Sequence, residues 1–230
     1  MNKTPKFAIL ATLMIFAISL QAQQISVGVK SGFNWANVNT TEALGSITPD
    51  FNSLDEFNFG LVTEIGITDY FAIQPELNFI KKGFGMDVGS DVELFGVSLP
   101  IGVNAESRFS YVEVPLLAKF KFGSERVKAY VVGGPTFGYA TGGKIDTKAK
   151  VLVEIPLGSI PINLDNINYE RFEVGAAVGA GVSFDTGFGQ IFADARYHHG
   201  FTELYDIPLV NEKIRNQGFG VNVGFMVPIN

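Results

Sequence analysis

Residues 111–123 read YVEVPLLAKFKFG, and this stretch decides the fold. From Val112 to Phe122 every second residue is apolar, whereas the residues between them include Glu113, Lys119 and Lys121. Alternation of this kind is typical of a β-strand with two different faces. In a water-soluble protein the apolar face would look inward. In a membrane barrel it would face lipid, and the charges would lie inside.

The N-terminal residues predict export. Lys3 and Lys6 precede an uncharged, mostly apolar run over 7–20, and the small residue Ala22 follows. These are the parts of a cleaved secretory signal peptide, predicted here as residues 1–22, and the apolar run is short for a membrane-spanning helix. An uncleaved anchor is the alternative interpretation. Residues 23–230 are long enough for one all-β domain.

Composition narrows the class of protein further. The sequence has no cysteine, which excludes a lipoprotein anchor, a disulfide framework and thiol chemistry. Its net charge of −6 argues against nucleic acid as a partner. Its 26 glycines and 13% aromatic residues, together with short alternating runs, favour a barrel or a sandwich.

Eight alternating runs follow one another along the chain, and each is long enough to supply the roughly 9–11 residues of a tilted membrane strand. They cover residues 25–36, 57–67, 70–83, 108–122, 127–141, 171–184, 189–202 and 216–229. Long and short connections alternate, and the short ones contain turn residues at 68–69, 123–126 and 185–188. The pattern predicts an eight-stranded antiparallel up-and-down transmembrane β-barrel with short periplasmic turns. Its long external loops would cover 37–56, 84–107, 142–170 and 203–215.

The two faces of the predicted strands differ in chemistry. The inward face is predicted to carry a balanced lumen charge network: Lys30, Glu64, Glu76, Glu113, Lys119, Lys121, Lys128, Glu173, Asp194 and Arg196. The outward face is predicted to carry two aromatic girdles at the membrane surfaces: Trp35, Phe57, Phe71, Phe79, Phe120, Phe122, Phe137, Tyr139, Phe184, Tyr197, Phe201 and Phe225. Because proline cannot donate to a ladder, Pro115 is the predicted place for a β-bulge.

Two stretches of the long loops are too apolar for plain solvated loops, VELFGVSLPIGV (92–103) and KVLVEIPLGSIPINL (150–164). We expect hairpins that prolong the barrel wall above the membrane or pack over the barrel mouth. An exposed strand edge there could also capture a partner strand. If one hairpin entered the wall, the barrel would have ten strands.

Several polar residues are candidates for chemistry. Asp194, His198, His199 and Glu203 lie near the external end of one predicted strand, where some outer-membrane enzymes act. By parity, His198 faces inward and His199 faces lipid headgroups, so the two cannot serve one site. GAAVGAG (175–181) lacks the spacing of a dinucleotide loop, and LDNIN (164–168) lacks that of a calcium loop. We therefore expect no enzyme activity, no cofactor and no metal.

Two adjacent stretches, YVEVPLLAKFKF and VKAYVVGGPTFGY (127–139), resemble the outer-membrane β-barrel family widespread in Bacteroidota, which includes PorT-like proteins. FEVGAAVGAGVSF (172–184) and FADARYHHGFTEL (192–204), with the pair Arg196-Tyr197, are similar to later strands of that family. The resemblance spans nearly the whole mature chain and implies the outer membrane of a Gram-negative bacterium. Barrels of this kind commonly end in an aromatic residue that the assembly machinery recognises, whereas this sequence ends GFMVPIN.

Three classes of function are consistent with these features. The first is a structural or interaction scaffold that presents its external loops, and the second is a small or gated porin-like pore. The third is an enzyme at the rim that modifies lipids or cleaves protein. We rank the scaffold first and expect a monomer. The expected partners are outer-membrane lipid, the barrel-assembly machinery and a protein bound at the external loops.

Overall fold

The computed structural model of the chain describes residues 24–39, 51–94, 97–151, 153–166, 169–203 and 215–229. Within these ranges, the side chains of 39, 51–52, 86–103 and 150–156 are not described. The predicted signal peptide, residues 1–22, lies outside the described residues. The described part of the chain contains no helix that is long and apolar enough to cross a membrane.

Ten β-strands form the described secondary structure. They are β1 (Ile25–Asn39), β2 (Phe51–Asn52), β3 (Leu54–Gly66), β4 (Phe71–Leu94), β5 (Val97–Gly123), β6 (Val127–Val151), β7 (Val153–Ile162), β8 (Phe172–Asp185), β9 (Gln190–Gly200) and β10 (Arg215–Pro228). Eight of them pair in the cyclic order β1–β3–β4–β5–β6–β8–β9–β10. The ring closes where β10 pairs with β1, from Ser26↔Pro228 to Asn39↔Arg215. Closure leaves the ring without an unpaired edge, as a membrane requires.

The prediction of an eight-stranded antiparallel up-and-down barrel is confirmed. Each predicted strand coincides with one strand of the ring, and each predicted short turn joins two ring neighbours. The ten-strand alternative is wrong, because the two remaining strands lie outside the ring. β2 pairs only at its two residues with β4, and β7 pairs with β6.

Three ring strands continue well beyond the predicted ends and form an external extension. β4 and β5 remain paired as far as Leu94↔Val97, and β5 and β6 remain paired as far as Ile101↔Val151. β7 then turns back along the upper half of β6, so both apolar loop stretches do prolong the wall as expected. The strands were predicted too short because regular apolar alternation ends where the outer face leaves lipid.

The strand segment YVEVPLLAKFKFG (111–123) is inside out relative to a soluble protein. Leu116 and Phe120 are 44% and 48% exposed on the outer surface, whereas Glu113 and Lys119 are each 1% exposed in the interior. The alternation runs through Pro115 without a shift in pairing, so the predicted bulge there is wrong. The irregularity between β5 and β6 lies instead at Ser110/Tyr111, near the external rim.

Candidate functional site

The lumen is occupied by three layers of charged side chains, and the lowest lies toward the short turns. Lys119 and Lys121 each donate to Glu64 at 2.7 Å, and Lys119 also sits 4.0 Å from the centre of the Tyr130 ring. β3, β5 and β6 bring these groups together across the lumen. A shared carboxylate and an aromatic face together replace the water that the Lys119 ammonium has lost.

The central layer crosses the lumen and is centred on Arg196. The guanidinium donates twice to Asp194, at 2.6 and 2.9 Å, and twice to Glu76, at 2.9 Å each. Lys30 donates to Glu76 at 2.6 Å, and Tyr130 donates to Asp194 at 3.0 Å. The side chains of Arg196, Glu76 and Asp194 have no exposed surface. Two cations and two anions therefore balance within this layer.

The upper layer lies below the external rim and is centred on Lys82. Its ammonium donates to Glu113 at 2.7 Å and also contacts Glu173. Asn216 donates to the other oxygen of Glu173. His198 approaches the same cluster, with Nδ1 3.8 Å from Glu113 Oε1.

The predicted lumen residues occupy these layers with one partial exception. Nine of the ten are buried, and Lys128 is half-buried near the short-turn end, opposite Gly123. Lys82 also lies in the lumen and was not predicted there, although it stands within a predicted strand at an inward position. Ile80 interrupts the polar series two residues earlier, and it packs inward at 7% exposure. If the alternation is continued past Ile80, the next inward position of the same strand is Lys82.

An apolar cluster, here called the roof, covers the lumen at its external end. The Phe109 and Tyr169 rings stack with centroids 4.3 Å apart, and the Tyr111 and Tyr169 hydroxyls are 2.6 Å apart. Leu164 belongs to the same buried cluster, which it joins from the segment between β7 and β8. This segment therefore packs over the barrel mouth, which is the second arrangement expected for the apolar loop stretches.

The external extension carries a separate ion cluster around Arg108. Arg108 pairs with Glu56 at 2.5 Å, with Glu106 at 2.7 Å and with Asp146. Hydrogen bonds from Lys144, Ser159 and Arg108 hold the pKa of the Asp146 carboxyl well below its ordinary value. Burial lowers the pKa of Arg108, but its three acidic partners outweigh that effect and raise it.

The predicted girdle residues lie on the outer surface, where ten of the twelve are exposed and Phe71 and Phe225 are half-buried. Several pack against aromatic neighbours on adjacent strands. Trp35 stacks on Phe219, Phe59 on Phe79, and Phe71 lies against Phe120. These pairs stiffen the outer surface near the two ends of the lipid band.

The rim histidines do not form a joint site. The His199 ring packs between Tyr197 and Phe201 on the outer surface, whereas His198 approaches Glu113 in the lumen. Asp194 is one layer below, bound to Arg196, Tyr130 and Asn222. Among the described residues, no three His, Cys, Asp or Glu side chains are placed to hold a metal ion together.

Comparison with known families identifies the class of protein. Residues 21–206 match the family model described as "Outer membrane protein beta-barrel domain". The chain belongs to this family. It is an outer-membrane β-barrel protein, and its polar lumen and apolar outer surface follow from that location. No curated protein matches the sequence.

Several solved outer-membrane barrels are similar to this one. The attachment invasion locus protein Ail of Yersinia pestis is 15% identical over 87% of this chain and 97% of its own, with a TM-score of 0.41. OprG of Pseudomonas aeruginosa is 11% identical over 90% and 95%, with a TM-score of 0.45. The outer-membrane protease OmpT of Escherichia coli is 10% identical over 90% and 97%, with a TM-score of 0.35.

Proposed function

We propose that this outer-membrane barrel is a closed structural and interaction scaffold that presents its external extension to a partner. The central charge layer carries the proposal. Arg196, Glu76 and Asp194 join opposite walls of the lumen, with no exposed side-chain surface. An eight-stranded barrel is narrow enough for its own side chains to fill. The layer therefore leaves little room for a water-filled path.

The roof adds a second barrier of different chemistry. Phe109, Tyr111, Leu164 and Tyr169 are all buried above the upper charge layer. A solute entering from outside would first have to displace this apolar cluster and then break buried ion pairs. Both barriers favour a closed scaffold rather than an open pore.

The external extension supplies the surface for interaction. β7 pairs with β6 along one edge, and Leu157 and Ile160 on it are 60% and 67% exposed. β7 pairs with the part of β6 that follows the girdle residue Tyr139, so these apolar side chains lie beyond the girdle. Apolar side chains exposed above the lipid are characteristic of protein-binding surfaces.

Planar-bilayer conductance of the refolded barrel tests the proposal. We expect no reproducible current steps from folded wild-type protein. Steps from wild-type protein, with ion selectivity altered by Glu113→Gln or Lys119→Gln, would establish a pore and contradict the scaffold.

Finer assignments belong to the same proposal. We assign the chain to the PorT-like group found in Bacteroidota because of the strand YVEVPLLAKFKF and the following Gly134-Pro135. Export would use a cleaved signal at residues 1–22, and insertion would require the barrel-assembly machinery. N-terminal sequencing of the protein from purified outer membranes tests the cleavage directly.

A further inference from the structure

The upper lumen contains a polar chamber between the central charge layer and the roof. Two adjoining small cavities of about 10 Å³ each, room for a single water molecule or a small ion, share Asn34, Ile80 and His198 in their walls. The upper cavity is also lined by Asn216 and the lower one by Asn78. On β10, the inward positions between Asn216 and Asn222 are Gly218 and Gly220, which leave the chamber its space.

The wall of the chamber has hydrogen-bond acceptors without donors. Asn216 and Asn78 use their amide nitrogens to donate to Glu173 and Glu76. Their Oδ1 atoms have no donor within the described part of the chain, although each residue is only 4% exposed. Beside the chamber, Glu113 Oε1 and His198 Nδ1 lie 3.8 Å apart, too far for a hydrogen bond, and neither has another partner among the described residues. Unpaired buried acceptors are costly, so these atoms favour binding of a hydrogen-bond donor or a cation from outside the chain.

The charges around the chamber are also unequal. Lys82 supplies one positive charge against the two carboxylates of Glu113 and Glu173. The central layer below is balanced, so it does not compensate. With His198 neutral, the upper layer has a net charge of −1. A negative region of low dielectric attracts a cation strongly.

We propose that this chamber binds one monovalent alkali cation, Na⁺ or K⁺. Amide and carboxylate oxygens are the ligands that hard cations prefer. A divalent ion is disfavoured because Lys82 already occupies both carboxylates and no three acidic or histidine side chains converge in the described residues. One added positive charge in the upper cavity would neutralise the upper layer and give Asn216 Oδ1 a partner. This site is independent of whether the barrel conducts.

Salt-specific thermal stability tests the site in the refolded barrel. The Tm is measured in NaCl, KCl and choline chloride at equal ionic strength, at a pH above the ordinary histidine pKa of about 6.5. Choline is too large for the chamber and serves as the reference cation. We expect Na⁺ or K⁺ to raise the Tm by roughly 2–4 °C. Identical Tm values in all three salts would overturn the proposal.

Matched variants locate the effect. Asn216→Leu and His198→Leu remove acceptors from the chamber wall and should abolish the salt-specific rise. Tyr197→Leu, on the exposed outer face of the same strand and outside both cavities, should retain it. Persistence of the rise in both chamber variants would refute the site. If Asn216→Leu does not fold, His198→Leu alone tests the site in solution. Crystals of the wild-type protein soaked in Tl⁺ provide a second test by anomalous scattering. Absence of Tl⁺ density in the chamber would also refute the site.

Discussion

Replacing Glu76 by glutamine should destabilise the barrel far more than an equivalent change on its surface. Glu76 accepts from Lys30 at 2.6 Å and from Arg196 at 2.9 Å on each oxygen, and its side chain has no exposed surface. Glutamine keeps the shape but removes the charge, so two cations would face only Asp194. Breaking a buried pair in this way costs about 3–5 kcal/mol.

Unfolding of the refolded protein in detergent micelles provides the assay. The sequence contains one tryptophan, Trp35, so its fluorescence reports the transition from a single site near the external rim. A loss of about 3–5 kcal/mol should lower the Tm by roughly 6–20 °C for a domain of this size. The matched control is Asp165→Asn, because Asp165 is 75% exposed where it pairs with Arg171. An exposed pair contributes about 0–1 kcal/mol.

A second variant separates charge imbalance from lost packing. Glu76→Gln/Lys30→Met removes one cation together with the anion and leaves Arg196 paired with Asp194. If imbalance is the cause, the double variant should be more stable than Glu76→Gln alone. The reasoning fails if Glu76→Gln is no more destabilised than Asp165→Asn, or if the double variant is weaker than the single one.

Three other perturbations test the remaining parts of the structure. Val114→Lys places a charge on the lipid face and should cost roughly 2–4 kcal/mol in micelle unfolding; an unchanged free energy would contradict the assigned face. Tyr169→Phe keeps the ring over Phe109 but loses the hydroxyl contact with Tyr111, which should lower the free energy of unfolding by about 0.5–1.5 kcal/mol. A much larger loss of stability would show that the ring packing is disturbed as well, and it would contradict this account. Because the folded-state pKa of Asp146 is depressed, its stabilisation is complete above the unfolded value of about 3.9 and declines as the pH falls below it. The stability difference between wild type and Asp146→Asn should therefore narrow under acid, and a constant difference would refute the role of the charge.

The architecture was predictable because a membrane imposes alternation on every residue that crosses it. Lipid on one side and a narrow lumen on the other give strands such as 111–123 a strict period of two. Above the girdle the outer face no longer meets lipid, so the extensions of β4, β5 and β6 need no strict period of two, and only their apolar stretches 92–103 and 150–164 indicated hairpins there. The bulge near Ser110 lies at this transition, whereas Pro115 fits the ladder where it was expected to break it.

The lumen was less predictable than the wall. Parity assigns a side chain to the interior but does not say which partner it meets across the barrel. Arg196 and Glu76 are 120 residues apart, and only closure of the ring brings them together. The roof depends on the segment that carries Leu164 and Tyr169 folding back over the mouth, and no local pattern encodes this.

Lipid contact along β5 tests the inside-out barrel most directly. In a Trp35→Phe background, a single tryptophan is placed at Val114, Leu116 or Ser110, and the protein is refolded into vesicles of brominated lipid. The account predicts strong quenching by brominated chains at Val114 and Leu116, and little at Ser110, which lies above the girdle. Quenching by aqueous acrylamide but not by brominated lipid at Val114 and Leu116 would contradict it.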